Sequence, residues 1–186
     1  MAKHICPWWV GYLLISPMRC WLQNPAAIVQ PYVREGMTVL EPGPGMGFFT
    51  LELARQVGPN GRVVAVDVEP RMIDRLKRRM DKAGLLNRVD ARVAKSDSMG
   101  LSDLRGKVDF VLAFFMVHEM PSATRFFAEA AETMKPGATL LLAEPPGHVK
   151  KEKFDAELQV ATAAGFGIAD RPSIRRAQAA LLKKAS

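Results

Sequence analysis

Thr38 to Gly47 reads T-V-L-E-P-G-P-G-M-G, a short apolar run that enters a glycine-rich turn directly. An acid, Glu41, closes the run two positions before Gly43, and Gly43, Gly45 and Gly47 then alternate as G-x-G-x-G. Without Cβ atoms, glycines let the backbone bend sharply and come close to a ligand. Phe48 stands where a G-x-G-x-x-G dinucleotide fingerprint places its third glycine. A strand that runs into such a turn points to an α/β sheet with ligands at the carboxyl ends of its strands.

The acid narrows the ligand. A carboxylate at the strand tip repels the pyrophosphate of a nicotinamide dinucleotide and suits a group carrying positive charge. S-adenosylmethionine offers an ammonium group, a sulfonium centre, a ribose diol and no phosphate. The next landmark agrees. Gly61 to Val68, G-R-V-V-A-V-D-V, predicts a second buried strand ending in Asp67, about 20 residues past the turn, where doubly wound sheets place the acid that grips a ribose diol. Asp67 alone would equally serve as a cap for the following helix. Beside Glu41 and the glycines, ribose binding is the preferred reading.

The rest of the chain alternates in the same manner. Asn24-Pro25 predicts a helix start for a helix ending near Glu35 and Gly36. A helix from about Phe48 to Val57 stops at the breaker cluster Gly58-Pro59-Asn60-Gly61. A helix from Pro70 to Ala83 ends at Gly84. Further strands are expected over Val89 to Ala94, Val108 to Phe114 and Ala138 to Ala143, with helices over Ser122 to Met134 and Lys151 to Ala164. Gly167 to Arg171 and Ala177 to Leu182 are the last strand candidates. Strands alternating with helices predict a mostly parallel sheet with helices on both faces.

On these motifs the chain resembles the class I S-adenosylmethionine-dependent methyltransferases, especially small single-domain ones acting on small molecules. The likeness runs from about Gly36 to the C-terminus. It also includes V-D-F-V-L-A-F-F-M-V-H-E-M and M-K-P-G-A-T-L-L-L-A-E-P, which look like the fourth strand with its loop and the fifth strand. The resemblance implies a Rossmann-like, doubly wound sheet of seven strands whose last strand is antiparallel. It implies that Glu41, Gly43, Gly45, Gly47 and Asp67 bind the cofactor. It places Ser96 and Asp97 at the adenine, although Lys95 stands where the family commonly has an acid, and Ser96-Asp97-Ser98 reads equally as a polar turn. It sets Phe114, His118 and Glu119 beside the transferred methyl. His118 could then act as general base toward an attacking hydroxyl, thiol or amine, or it could only pack. In-line alignment alone can carry methyl transfer, since the cofactor brings its own electrophile.

With 186 residues, 48% of them hydrophobic, the chain is expected to form a single domain, residues 1–186, able to bury about 70% of its unfolded surface. Residues 1–35 are read as an N-terminal helical lid or flap. All three tryptophans and both cysteines, Cys6 and Cys20, lie within its first 21 positions. Trp8, Trp9 and Tyr12 could cover the substrate side and face a sulfonium, or pack as an apolar flap. The apolar run Ile5 to Ile15 is too short to span a bilayer, and Arg19 before Cys20 spoils a cleavage site. A cytoplasmic setting is therefore expected, with no membrane span and no metal site. The formal charge of +7 raises a nucleic-acid partner. Its basic residues on the helix from Pro70 alternate with Asp74 and Asp81 and read as a solvated face, and the loop after the fourth strand lacks the Asn/Asp-Pro-Pro-aromatic pattern of nucleobase methyltransferases. A small-molecule acceptor is expected; a methyltransferase acting on RNA, and a cofactor-binding protein without catalysis, are the alternatives. Oligomeric state is left open.

Overall fold

The computed structural model describes residues 23–95 and 97–185. The expectations for Cys6, Trp8, Trp9, Tyr12, Cys20 and Ser96 lie outside the described residues. Seven strands form one sheet in the order β3-β2-β1-β4-β5-β7-β6, mostly parallel, with helices around it. By contact density the described chain falls into two compact units, residues 23–95 and residues 97–185.

In the first unit, helix α1 spans Pro25–Val29, with the Asn24 side chain accepting from the Ala27 N–H at 3.3 Å and Pro25 in the first turn. It stops well short of Glu35. Pro31 lacks the N–H that another α turn needs, so the chain continues in turns in which the Val33 N–H still reaches the Val29 carbonyl at 3.1 Å. Strand β1 (Thr38–Pro42) pairs in parallel with β2 (Arg62–Asp67), and β2 with β3 (Val89–Val93). The interiors of β1 and β2 are buried residue after residue, the pattern of a parallel sheet covered on both faces. Between them lies α2 (Thr50–Gln56). Helix α3 (Pro70–Lys82) is capped by the Glu69 side chain and buries Met72, Ile73, Leu76 and Met80, one stripe at helical spacing. Gly84, at φ +67°, ends it. Arg71, Lys77, Arg78 and Lys82 are exposed, while Arg75 and Arg79 are half-buried.

In the second unit, β4 (Val108–Phe114) runs parallel to β5 (Met134–Glu144). Helix α4 (Ala123–Thr133) begins at Ser122, whose hydroxyl accepts from the Arg125 N–H at 3.2 Å. It passes straight into β5, four residues before the expected strand start. The pairing jumps from Val108 with Met134 to Phe110 with Thr139. Gly137, at φ +73°, lets the extra residues bulge without breaking the strand. Helix α5 (Lys151–Ala163) leads to β6 (Phe166–Asp170) and β7 (Gln178–Lys184), and β7 pairs antiparallel with both β5 and β6. The antiparallel last strand is thus observed. Phe110, Phe126, Phe127, Leu140 and Leu141 are fully buried in this unit. Among the described residues, no helix is long and apolar enough to cross a membrane.

Candidate functional site

In the first unit the carboxyl ends of β1 and β2 carry the two acids. Gly43, Gly45 and Gly47 all have positive φ (65°, 54° and 82°), a conformation side chains resist. The Gly43 N–H donates to the Val66 carbonyl at 2.8 Å and fixes the turn against the end of β2. A Cβ on Gly47 would press on Met80 Cε at 3.2 Å, whereas one on Gly45 would meet no atom within 4 Å. Gly47 is a packing position and Gly45 leaves open space over the turn.

Glu41 is buried, 4% exposed, and its Oε2 accepts from the Thr50 hydroxyl at 2.6 Å. Burial pushes its carboxyl up from 4.5 to about 7, the charge of Asp67 pushes the same way, and the Thr50 hydroxyl and N–H pull back. Asp67 is half-buried. Its Oδ1 accepts from the Glu69 N–H at 3.0 Å, and the Gly45 N–H also faces it. Burial raises its carboxyl above the ordinary range, against the pull of those N–H groups. Helix α3 takes its cap from Glu69, whose Oε1 accepts from the Arg71 N–H, so Asp67 lies two residues before the capping position. Two acids that burial holds toward their neutral forms, with the charge of Asp67 adding to the rise at Glu41 and that of Glu69 to the rise at Asp67, gain from a ligand bringing positive charge and hydroxyl donors. Positions 43–47 carry no cationic side chain to meet a phosphate. The residues fit S-adenosylmethionine.

The second unit contributes a different group. Phe114 ends β4, buried, with its ring 4.4 Å from that of Phe115. Phe115 has φ +59°, rare for a bulky side chain. A 3₁₀ turn over Val117–Glu119 follows. Glu144, at the end of β5 and fully buried, organises that turn. Its Oε1 accepts from the N–H groups of Val117 at 2.9 Å and His118 at 3.3 Å, and its Oε2 meets His118 Nδ1 at 2.5 Å. The His118 side chain is 12% exposed. The hydrogen bond to Glu144 raises its pKa, partial burial opposes, and the charges of Glu144 and Glu119 add to the rise. An ionised Glu144 accepting from Nδ1–H leaves Nε2 as the lone-pair nitrogen. Glu119 is more exposed, with Oε1 3.9 Å from His118 Nε2. The His148 ring lies 6.0 Å from that of His118.

Asp97, by contrast, is exposed, and its carbonyl accepts from Arg125 Nη1 on α4 at 2.6 Å. Among the described residues, no three His, Cys, Asp or Glu side chains are grouped to hold a metal ion. Sequence reasoning assigned no role to Glu144, Thr50 or Glu157. The signal for Glu144 was a charged residue ending the apolar run Leu140-Leu141-Leu142-Ala143, where burial demands a partner.

The methyltransferase domain family matches residues 39–137, more than half of the chain. The arsenite methyltransferase of Halobacterium salinarum is 29% identical over 121 residues, 65% of this chain and 30% of its own length. A ubiquinone/menaquinone biosynthesis C-methyltransferase of Hydrogenovibrio crunogenus is 27% identical over 126 residues, 68% of this chain and 48% of its own. The chain therefore spans less than half the length of these curated relatives. An S-adenosylmethionine-dependent methyltransferase from Aquifex aeolicus superposes with a TM-score of 0.85 at 25% identity, over 96% of this chain and 98% of that one. A putative rRNA methylase from Clostridium thermocellum, 20% identical over 88% of this chain and 94% of its own, shares the fold with a TM-score of 0.69. With the glycine turn and its paired acids inside the matched span, the chain belongs to the class I S-adenosylmethionine-dependent methyltransferases.

Proposed function

We propose that the protein transfers a methyl group from S-adenosylmethionine to a small-molecule acceptor by in-line displacement. The observation that carries this reading is the glycine turn flanked by the buried Glu41 and the half-buried Asp67 inside the span matched by the family. Glu41 and Asp67 hold the methionine ammonium and the ribose diol, with Gly43, Gly45 and Gly47 keeping the backbone close beneath. Bound S-adenosylmethionine supplies an electrophilic methyl on a sulfonium sulfur. His118 removes the acceptor's proton at Nε2, while Glu144 fixes the ring through Nδ1 and stabilises the imidazolium that forms. Asp97 is the adenine-side residue of this reading, and Phe114 and Glu119 border the acceptor. The relatives named as an arsenite methyltransferase and as a ubiquinone/menaquinone biosynthesis C-methyltransferase favour a small acceptor over RNA, to which fold-level neighbours such as the putative rRNA methylase point. A cytoplasmic setting accompanies this reading.

The test is S-adenosylhomocysteine release across a panel of phenols, thiols, amines, quinones and arsenite, with a structured RNA as a further arm. Release with a small acceptor, lost in His118→Asn at unchanged cofactor affinity, supports the proposal. Release with RNA alone replaces the acceptor class. Tight cofactor binding with no release from any acceptor makes the chain a binding protein without catalysis.

A further inference from the structure

Thr50 opens helix α2 fully buried, hydroxyl included. A buried hydroxyl needs an acceptor, and a helical threonine commonly finds one on its own backbone, three or four residues back. Thr133 and Thr162 do so, donating to the carbonyls of Ala130 at 2.8 Å and Leu158 at 2.9 Å. Thr50 instead reaches nine positions back, across the glycine turn, to Glu41 Oε2 at 2.6 Å. Valine would fill the same space with no hydroxyl to satisfy. Burying both members of a polar pair costs desolvation that an apolar pair avoids, and a ligand's charge can offset that cost.

We propose that Thr50 is a positioning residue for the cofactor: its hydroxyl holds the Glu41 carboxylate in place to receive the ammonium group of S-adenosylmethionine. The inference rests on the reading of Glu41 as the acceptor for that ammonium. A carboxylate offers about four lone-pair sites, and a hydroxyl fixes one of them without adding charge. A lysine or arginine there would fix the carboxylate as firmly but cancel the charge that attracts the ammonium. The donor itself has little freedom. Thr50 is β-branched, which restricts its rotamer, and its Cβ lies 3.6 Å from where a Cβ on Gly47 would stand. The hydroxyl, the start of α2 and the last glycine of the turn therefore move as one piece, and the carboxylate is ordered before the cofactor arrives.

The electrostatics give the sign. Burial and the charge of Asp67, at the end of β2, favour neutral Glu41, while the hydroxyl and N–H of Thr50 favour the ionised form. An ammonium group adds to the second side. The Thr50 hydroxyl is thus worth more with the cofactor bound than without it, because a donor bonds an ionised acceptor more strongly than a neutral one. Its removal should appear in affinity and not only in stability.

The experiment is calorimetry on the full chain with two ligands. S-adenosylmethionine carries the ammonium, whereas 5′-methylthioadenosine keeps the adenine and ribose and lacks it. Thr50→Val should bind S-adenosylmethionine about tenfold more weakly, the low end for a hydrogen bond to a charged group. Thr50→Ser, which keeps the hydroxyl, should recover most of that loss, and the affinity for 5′-methylthioadenosine should stay put in both. In a Glu41→Ala background, Thr50→Val should change the affinity no further. Thr50→Ala takes the place of the valine variant if that one misfolds. Unchanged S-adenosylmethionine affinity in Thr50→Val overturns the proposal, and so does an equal loss for both ligands, which would assign Thr50 to the fold alone. Glu41→Ala binding S-adenosylmethionine like wild type defeats the reading of Glu41 and this proposal with it. A weakened Glu41→Ala beside a normal Thr50→Val defeats the role of Thr50 only.

Discussion

Glu41 does two jobs that pull against each other. As an acceptor for the Thr50 hydroxyl it ties β1 across the glycine turn to the start of α2, whose own capping residue, Phe49, offers no side-chain bond. As a buried acid beside Asp67 it is held toward its neutral form until a cation arrives. Removing it should therefore weaken cofactor binding. Glu41→Ala and Asp67→Ala are each expected to lose about 1.5–3 kcal/mol of S-adenosylmethionine affinity, the range for hydrogen bonds to charged groups, and NADH should not bind. Calorimetric affinities equal to wild type in both variants would remove these acids from the site. The glycines separate in the same assay. Gly47→Ala, with positive φ and Met80 in contact, should lower stability by about 1–2 kcal/mol. Gly45→Ala meets no protein atom but carries the same left-handed backbone strain, so it should lose about 1 kcal/mol of stability and, beyond that, cofactor affinity. A Gly45 variant that binds normally would remove that division.

At the scale of elements, the sequence carried most of the strands and lost what depends on distant partners. β4 was read with its observed bounds: after Gly106-Lys107 every position of the strand but Asp109 is apolar and buried. α1 was read too long, since the periodic pattern hides how one missing N–H at Pro31 stops a short helix. β5 was read too short, since its entry is a bulge defined by pairing with Val108, 26 positions away in sequence. The candidate site divides along the same line. The glycines and their acids are local and readable, whereas the bond between His118 and Glu144 joins the ends of two strands and was not. Glu157 was readable in principle, as an acid three positions after Phe154 and next to Leu158 on one helix face. Glu144 is thus an element-scale staple, holding the turn after β4 to the end of β5 by three contacts. Glu144→Ala leaves the Val117 N–H buried without its acceptor and should cost about 1–3 kcal/mol. Glu144→Gln keeps an acceptor and should cost less, while lowering the pH at which His118 titrates. Denaturant unfolding of the two variants measures both, and equal stability losses would show that the charge, not the hydrogen-bond pattern, holds the turn.

For the molecule as a whole, the titratable groups that burial or a partner displaces among the described residues move in one direction, which net charge does not reveal. Glu41 and Glu157 rise from 4.5 to about 7, and Asp67 and His118 are raised as well. Each group binds its proton more tightly folded than unfolded. Each therefore contributes stability that is complete below its unfolded pKa and is lost as pH climbs through its folded pKa. For the two glutamates that window runs from about 4.5 to 7, and His118 extends it upward from 6.5. The ligand-free protein should thus melt at lower temperature at pH 8 than at pH 5.5. At about 1–3 kcal/mol per glutamate the fall is roughly 5–15 °C for a chain of this size. Saturating S-adenosylmethionine should flatten the curve, because an ammonium group beside Glu41 favours its ionised form. Binding near pH 6.5 should accordingly release a fraction of a proton, visible as a dependence of the calorimetric heat on buffer ionisation enthalpy. Glu41→Gln should abolish that release and leave the contribution of Glu157 in place. A melting temperature that rises from pH 5.5 to 8, or cofactor binding that takes up protons, would mean that these carboxyls are already ionised in the free protein and that the buried acids do not wait for the cation.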